Sequence, residues 1–184
     1  MGETTFIHLT DLHVGNPAVA DDHLFSDTSA TLARVLELIG SMESRPAFII
    51  ASGDLTNRGD ADSYRQLRSI MAATDLPVVY AIGNHDTRAG FYEGMLERSS
   101  DLDAPYDHDQ VIAGVHIITL DTTTPGQIGG SIEPEQFAWL EATLDNHPDL
   151  PKLIVAGALL VALLALFVEW LGRVLEFLAR PKGV

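Results

Sequence analysis

Three times in its first 86 residues the chain drives an apolar segment into a short burst of side chains that bind metals or carry protons. Phe6-Ile7-His8-Leu9-Thr10 opens onto Asp11-Leu12-His13, Phe48-Ile49-Ile50-Ala51-Ser52 onto Gly53-Asp54, and Val78-Val79-Tyr80-Ala81-Ile82 onto Gly83-Asn84-His85-Asp86. Short runs rich in Val, Ile and aromatic residues predict buried strands, and the glycines after the second and third permit tight turns. Parallel strands joined by helices bring their carboxyl ends to one edge of an open sheet, where ligands bind. The pattern therefore predicts an α/β fold with a βαβαβ core, and it gathers Asp11, His13, Asp54, Asn84 and His85 at one edge. Two carboxylates, two imidazoles and an amide oxygen form a mixed set suited to Mn, Fe or Zn.

The connecting segments read as helices. Asp27 or Thr28 can cap one in which Leu32, Val35, Leu36 and Ile39 recur at helical spacing. A second follows Asn57-Arg58-Gly59-Asp60, with Tyr64, Leu67 and Met71 on one face. Such a chain order implies right-handed crossovers and parallel pairing. Residues 88–105 predict a short helix and a loop. Gly114 then separates Val111-Ile112 from the run Val115 to Leu120, a hairpin expected to extend the sheet, and Asp121 opens a turn-rich loop through Pro125-Gly126. From Glu133 to His147, Phe137, Leu140 and Leu144 mark a helical stripe behind Pro134, and Leu153 to Ala156 predicts a further strand.

Composition narrows the chemistry. Cysteine is absent, so any metal is held by His, Asp, Glu or Asn. Residues 1–150 carry 7 Lys and Arg against 24 Asp and Glu, whereas residues 151–184 carry 4 against 2. A body so acidic repels a nucleic-acid backbone, which excludes an electrostatic nucleic-acid binder but not a small phosphate ester, because bound divalent cations reverse the field locally. At 184 residues the chain is one domain's worth. No basic segment followed by an apolar one stands at the N-terminus, so no cleavable signal is read and a cytoplasmic placement is expected.

Beyond Ala156 the character changes. Leu153 to Val168 is a run of 16 residues without a polar side chain, followed by an amphipathic stretch to Arg180. A membrane helix needs about 20 apolar residues to cross about 30 Å, and 16 residues at 1.5 Å reach only about 24 Å. Extension over residues 153–172 supplies the length, with Arg173, Arg180 and Lys182 as a basic flank, so a membrane contact is one reading. A helix packed on the domain is a second, and a shifted reading frame a third.

Asp11-x-His13, Gly53-Asp54 and Gly83-Asn84-His85-Asp86, in this order and each after a strand, resemble the calcineurin-like metallophosphoesterase family, and most closely its bacterial cyclic-nucleotide phosphodiesterase branch. Leu120-Asp121-Thr122, Pro125-Gly126 and Gln136-Phe137-Ala138-Trp139-Leu140 are similar to that branch's middle region, and the likeness covers about residues 4–156. It implies a domain over residues 1–156 built as an incomplete αββα sandwich, with residues 157–184 an apolar C-terminal helix outside the pattern. It also implies a hydrolase with two divalent ions (Mn, Fe or Zn) that acts through a metal-bound hydroxide on a cyclic nucleotide or related small phosphodiester. By this likeness Asp11 and His13 hold the first metal, Asp54 bridges both, and Asn84 binds the second. His85 gives a proton to the leaving oxygen, and Asp86 orients its imidazole.

The chain also departs from the family. A His-His-Pro turn is expected after the strand ending at Ala156, and a Gly-His-x-His turn later; here Gly157 and Ala158 follow, and no histidine occurs after His147. Loss of direct ligands costs more than the 10- to 100-fold typical of outer-shell losses. Partial metal occupancy and little hydrolysis by this chain alone are therefore expected, with an inactive metal- or phosphate-binding fragment as the alternative. His8 and His116 lie within strand patterns, His108 and His147 are expected to face solvent, and His23 is a loop residue.

Overall fold

The computed structural model describes residues 3–20 and 26–157. Among the described residues six strands and four helices follow in the order β1 (Phe6–Thr10), α1 (Thr28–Gly40), β2 (Phe48–Ser52), α2 (Ala61–Met71), β3 (Val78–Ala81), α3 (Arg88–Gly90, continuing as a π-helical turn over Phe91–Met95), β4 (His108–Ile112), β5 (Val115–Leu120), α4 (Pro134–Leu144) and β6 (Lys152–Ala156). The first three strands form a parallel sheet in the order β1-β2-β3.

Every residue of β2 is buried, as expected of a central strand covered on both faces. Its alternation divides the molecule's interior. Ile49 and Ala51 face a cluster that includes Leu32, Leu36 and Ile39 of α1 with Tyr64, Leu67 and Met71 of α2. Phe48 and Ile50 face the other way, into a second cluster with Val79, Ala81, Ile117 and Val155. The helix faces predicted from spacing are those that pack, and each helix is started by an aspartate: Asp27 accepts from the Ala30 amide and Asp60 from the Ser63 amide.

The hairpin β4–β5 does not extend this sheet. It founds a second one, in the order β4-β5-β6, with β4 antiparallel and β6 parallel to β5. The two sheets enclose the Phe48–Val155 cluster between them, with α1 and α2 on one outer side and α4 against β5 on the other. Strand alternation tells which side chains share a face, but not which neighbour takes the backbone hydrogen bonds.

Two further expectations are corrected. In α4 the inward residues are Gln136 and Thr143, while Phe137 is 56 % exposed. The Gln136 amide nitrogen donates to both Asp107 carboxylate oxygens and to the Asp121 carbonyl, and these polar partners turn the helix away from its apolar stripe. The proposed membrane contact over residues 153–172 fails at its start, because Leu153 to Ala156 lies in β6 with Leu153 and Val155 facing the core. Among the described residues no helix is long and apolar enough to cross a membrane. Residues 158–184, where the C-terminal helix was expected, lie outside the described residues, as does His23.

Candidate metal centre

The loops after β1 and β2 zip together along their backbones. Asp11 N donates to Gly53 O at 3.2 Å, His13 N to Asp54 O at 2.9 Å, Val14 N to Leu55 O at 3.1 Å, and Asn57 N back to Val14 O at 3.1 Å. This ladder holds Asp11, His13 and Asp54 at φ of 54°, 44° and 46°, in the left-handed region that side-chain-bearing residues seldom adopt. Each such residue costs about 1–3 kcal/mol, and the ladder is what imposes the conformation. The result is that one ligand atom from each of the three lies within 4.8 Å of the others.

The chemistry of that set fits a divalent cation. Two carboxylates so close repel each other unless a positive charge lies between them. His13 Nε2 is 3.8 Å from Asp54 Oδ2, beyond a hydrogen bond, and its buried Nδ1 has no partner. Asp11 Oδ2 is steadied by the Thr10 hydroxyl at 2.6 Å, and Asp54 Oδ1 by the His85 amide at 3.0 Å. These supports orient the carboxylates while leaving lone pairs free, as outer partners of a metal site do.

The loop after β3 closes the site. Asn84 shares with Asp11 and Asp54 a cleft of about 180 Å³ that also touches Ala156 and Gly157. Gly83 permits this approach, because a Cβ there would stand 2.2 Å from the Asp54 amide nitrogen and 2.8 Å from Gly53 Cα. The exposed His85 ring lies edge-on to His13 with centroids 4.9 Å apart, and its Nδ1 donates to the Asn57 carbonyl at 3.1 Å. A carbonyl only accepts, so that contact places a proton on Nδ1 and leaves Nε2 for exchange.

Asp86 has a different task from the one expected of it. Its buried carboxylate accepts from the amides of Leu55, Thr56 and Gly83 and from the hydroxyls of Thr56 and Tyr64, at 2.8–3.1 Å. It ties the β2 loop to the β3 loop, and the Asn57 carbonyl, not Asp86, holds the His85 ring. Burial pushes the Asp86 carboxyl upward, while hydrogen bonds from Gly83, Leu55 and Tyr64 pull it back. The Tyr64 phenol is driven well above its usual range by burial and then by the Asp86 charge, so it stays a donor.

A second polar cluster adjoins the site and was not legible in the sequence. Arg88, two residues beyond Asp86, donates from Nε to Asp121 Oδ2 at 2.7 Å and from its terminal nitrogens to the carbonyls of Asp103 and Thr123. Asp121 also accepts from the Tyr106 and Thr123 amides and the Thr123 hydroxyl, so it serves the loop, as its place after β5 suggested.

At Gly157 the departure from the family becomes physical. A Cβ built there would lie 2.1 Å from the Ile82 carbonyl oxygen, a backbone atom that cannot rotate aside. The end of β6 is packed so tightly on the end of β3 that a side chain at that position requires one of the two backbones to shift.

A two-sheet sandwich flanked by helices, with a carboxylate–imidazole cluster at the ends of its parallel strands, is the arrangement that the sequence resemblance implied. The description "Calcineurin-like phosphoesterase" matches residues 4–157, and the chain belongs to that family. It is 36 % identical over 162 residues to a probable cyclic nucleotide phosphodiesterase of Rhodococcus erythropolis, covering 79 % of this chain and 52 % of that protein. It is 30 % identical over 165 residues to a cAMP/cGMP dual specificity phosphodiesterase of Mycobacterium tuberculosis, covering 80 % and 51 %. Identity to a glycerophosphodiester phosphodiesterase of Enterobacter lignolyticus is 28 % over 133 residues, covering 71 % and 48 %. The chain spans about half the length of the curated relatives it matches.

Proposed function

We propose that this chain is a metal-dependent phosphoesterase half-site that binds one divalent cation, receives a small phosphodiester, and turns it over weakly by itself. The observation that carries the reading is the convergence of Asp11, His13 and Asp54 within 4.8 Å. Mn, Fe or Zn suits that donor set. When bound, the cation supplies Lewis acidity and neutralises charge on a phosphate oxygen.

The chain's own residues do the rest. Asp11 and His13 would hold the cation, Asp54 would offer it a further carboxylate, and Asn84 would offer an amide oxygen across the same cleft. His85, with Nδ1 fixed on the Asn57 carbonyl, would pass a proton from Nε2 of its imidazolium form to the leaving oxygen and return to the neutral ring. Asp86 keeps these groups in register as a positioning residue. The occluded backbone at Gly157 supports one-metal occupancy, since coordination of a second ion lacks an imidazole there.

Full dinuclear hydrolysis of cyclic nucleotides is the second reading, favoured by the names of the Rhodococcus and Mycobacterium relatives. Both relatives act on small molecules by name, in keeping with an acidic chain that repels nucleic-acid polymers. Turnover of bis(p-nitrophenyl) phosphate and of 3′,5′-cyclic AMP with Mn²⁺ separates the two. Slow turnover abolished by Asp54→Ala is expected; vigorous turnover with two ions bound supports the dinuclear reading, and no metal binding refutes both.

A further inference from the structure

Along the outer edge of the first sheet, β1 and α1 enclose a hollow of about 390 Å³, lined by Leu9, Leu12, Thr28, Thr31, Leu32 and Val35 among others. β1 ends that sheet, and its Ile7 and Leu9 are only partly buried, whereas every residue of β2 is buried. Parallel sheets are ordinarily covered on both faces and shielded at their edges, and this edge has no neighbouring strand among the described residues. We propose that residues 158–168 of this same chain fill the hollow, so that the apolar run behind β6 seals the β1 edge within one molecule.

The chemistry of the lining selects an apolar occupant. The Thr10, Thr28 and Thr31 hydroxyls already donate, to Asp11 Oδ2 at 2.6 Å, to the His13 carbonyl at 2.9 Å and to the Asp27 carbonyl at 2.9 Å. His8 Nε2 is engaged with the Ser52 hydroxyl at 2.6 Å. Leu9, Leu12 and Val35 lie at the margin of the cluster between the sheet and its helices and keep part of their surface in water. A polar ligand meets hydroxyl protons that are already given, whereas an apolar one takes surface out of water and breaks no hydrogen bond. Residues 158–168 read Ala-Leu-Leu-Val-Ala-Leu-Leu-Ala-Leu-Phe-Val, without one polar side chain.

Position favours the same segment. Gly157, from which the run departs, borders the metal cleft together with Thr10 and Asp11, and those two residues also border the hollow. The Gly157 carbonyl oxygen stands 3.2 Å from where a Cβ on Gly53 would lie, so the run sets out beside the carboxyl ends of β1 and β2. The lining reaches from His8 to Asp11 along β1 and from Thr28 to Val35 along α1, about 10 Å by either count. Residues 158–168 span about 16 Å even at the short rise of a helix, enough to cover it. Charge adds to the fit: the flank behind the run carries Arg173, Arg180 and Lys182 against Glu169 and Glu176, and past Val35 the acidic body presents exposed Glu37 and Glu43.

The test uses the full chain, which has no cysteine of its own, so two introduced thiols form a unique pair. Leu163→Cys is combined in turn with Thr31→Cys and with Val35→Cys in the hollow, and with Phe137→Cys on the opposite outer side, where that residue is exposed. Each double variant, shown to be folded by its melting curve, is treated with a short bismaleimide at low protein concentration. A seated segment holds its thiol at high effective concentration, so the Thr31 and Val35 pairs are expected to cross-link within one chain roughly tenfold faster than the Phe137 pair. Thr31→Glu, which brings a charge into the hollow, is expected to slow the Val35–Leu163 cross-link roughly tenfold. Two hollow positions are used so that misfolding of one variant leaves the other to decide. Equal rates at all three positions, a faster Phe137 cross-link, products that join two chains, or no cross-link in either hollow pair overturns the proposal, and none of these results bears on Mn²⁺ binding.

Discussion

Replacing Asp86 with alanine removes the knot between the two loops that carry Asp54 and His85. The carboxylate accepts five hydrogen bonds. The Thr56 and Tyr64 hydroxyls can turn toward other partners, but the amides of Leu55, Thr56 and Gly83 cannot, and each buried donor left without a partner costs about 1–3 kcal/mol. Three such donors set an upper figure of about 9 kcal/mol; partial entry of water into the vacated space lowers it to about 4 kcal/mol, the range seen when one member of a buried charged network is removed. For a chain of 184 residues each kcal/mol moves the melting temperature by about 2–4 °C, so a fall of about 8–16 °C is expected in calorimetry. Because the same amides fix the Asp54 and His85 loops, Mn²⁺ affinity falls together with stability, and Asp86→Asn, which keeps one acceptor oxygen, lies between the two proteins. A melting point within 2 °C of wild type and an unchanged Mn²⁺ affinity refute the anchoring role.

Other consequences can be measured separately. Gly83→Ala forces a Cβ into the Asp54 backbone and is expected to cost about 3 kcal/mol and more than tenfold in Mn²⁺ affinity, read by thermal melting and metal titration. His108 is pushed below its ordinary value of 6.5, chiefly by burial. The unfolded chain therefore takes up its proton first as pH falls, so stability declines on acidification from 6.5 down through the lowered value, and His108→Phe flattens that part of the denaturation profile. Mn²⁺ at 100 times its dissociation constant adds about 2.7 kcal/mol, expected as a rise of about 5–10 °C in melting temperature that disappears in His13→Ala.

What could be read from residues alone, and what could not, follows from the range of the forces involved. Apolar runs ending in Asp11, Asp54 and Asn84 announce strands and their carboxyl ends, because burial and turn chemistry act over a few neighbouring residues. The helix faces of Leu32–Leu36–Ile39 and Tyr64–Leu67–Met71 were legible for the same reason. The second sheet was not, since the hairpin's alternation is equally consistent with joining β3 or standing apart. Nor was the inward turn of Gln136, whose partners Asp107 and Asp121 lie 29 and 15 residues away and outweigh the helix's apolar stripe. Asp86 looked like a companion of its neighbour His85, yet its partners come from Leu55, Thr56 and Tyr64, across 22–31 residues. The Arg88–Asp121 pair, 33 residues apart, had no local signal at all. The apolar run after Leu153 misled in the opposite sense, because a strand and a membrane segment can begin with the same letters.

The central claim is that Asp11, His13 and Asp54 form one cation cradle. Equilibrium dialysis of the full chain against Mn²⁺, with bound metal counted per chain, tests it most directly. One ion per chain at saturation, lost in Asp54→Asn although the protein remains folded, is the predicted result. No bound ion, or an ion that survives Asp54→Asn unchanged, contradicts the account.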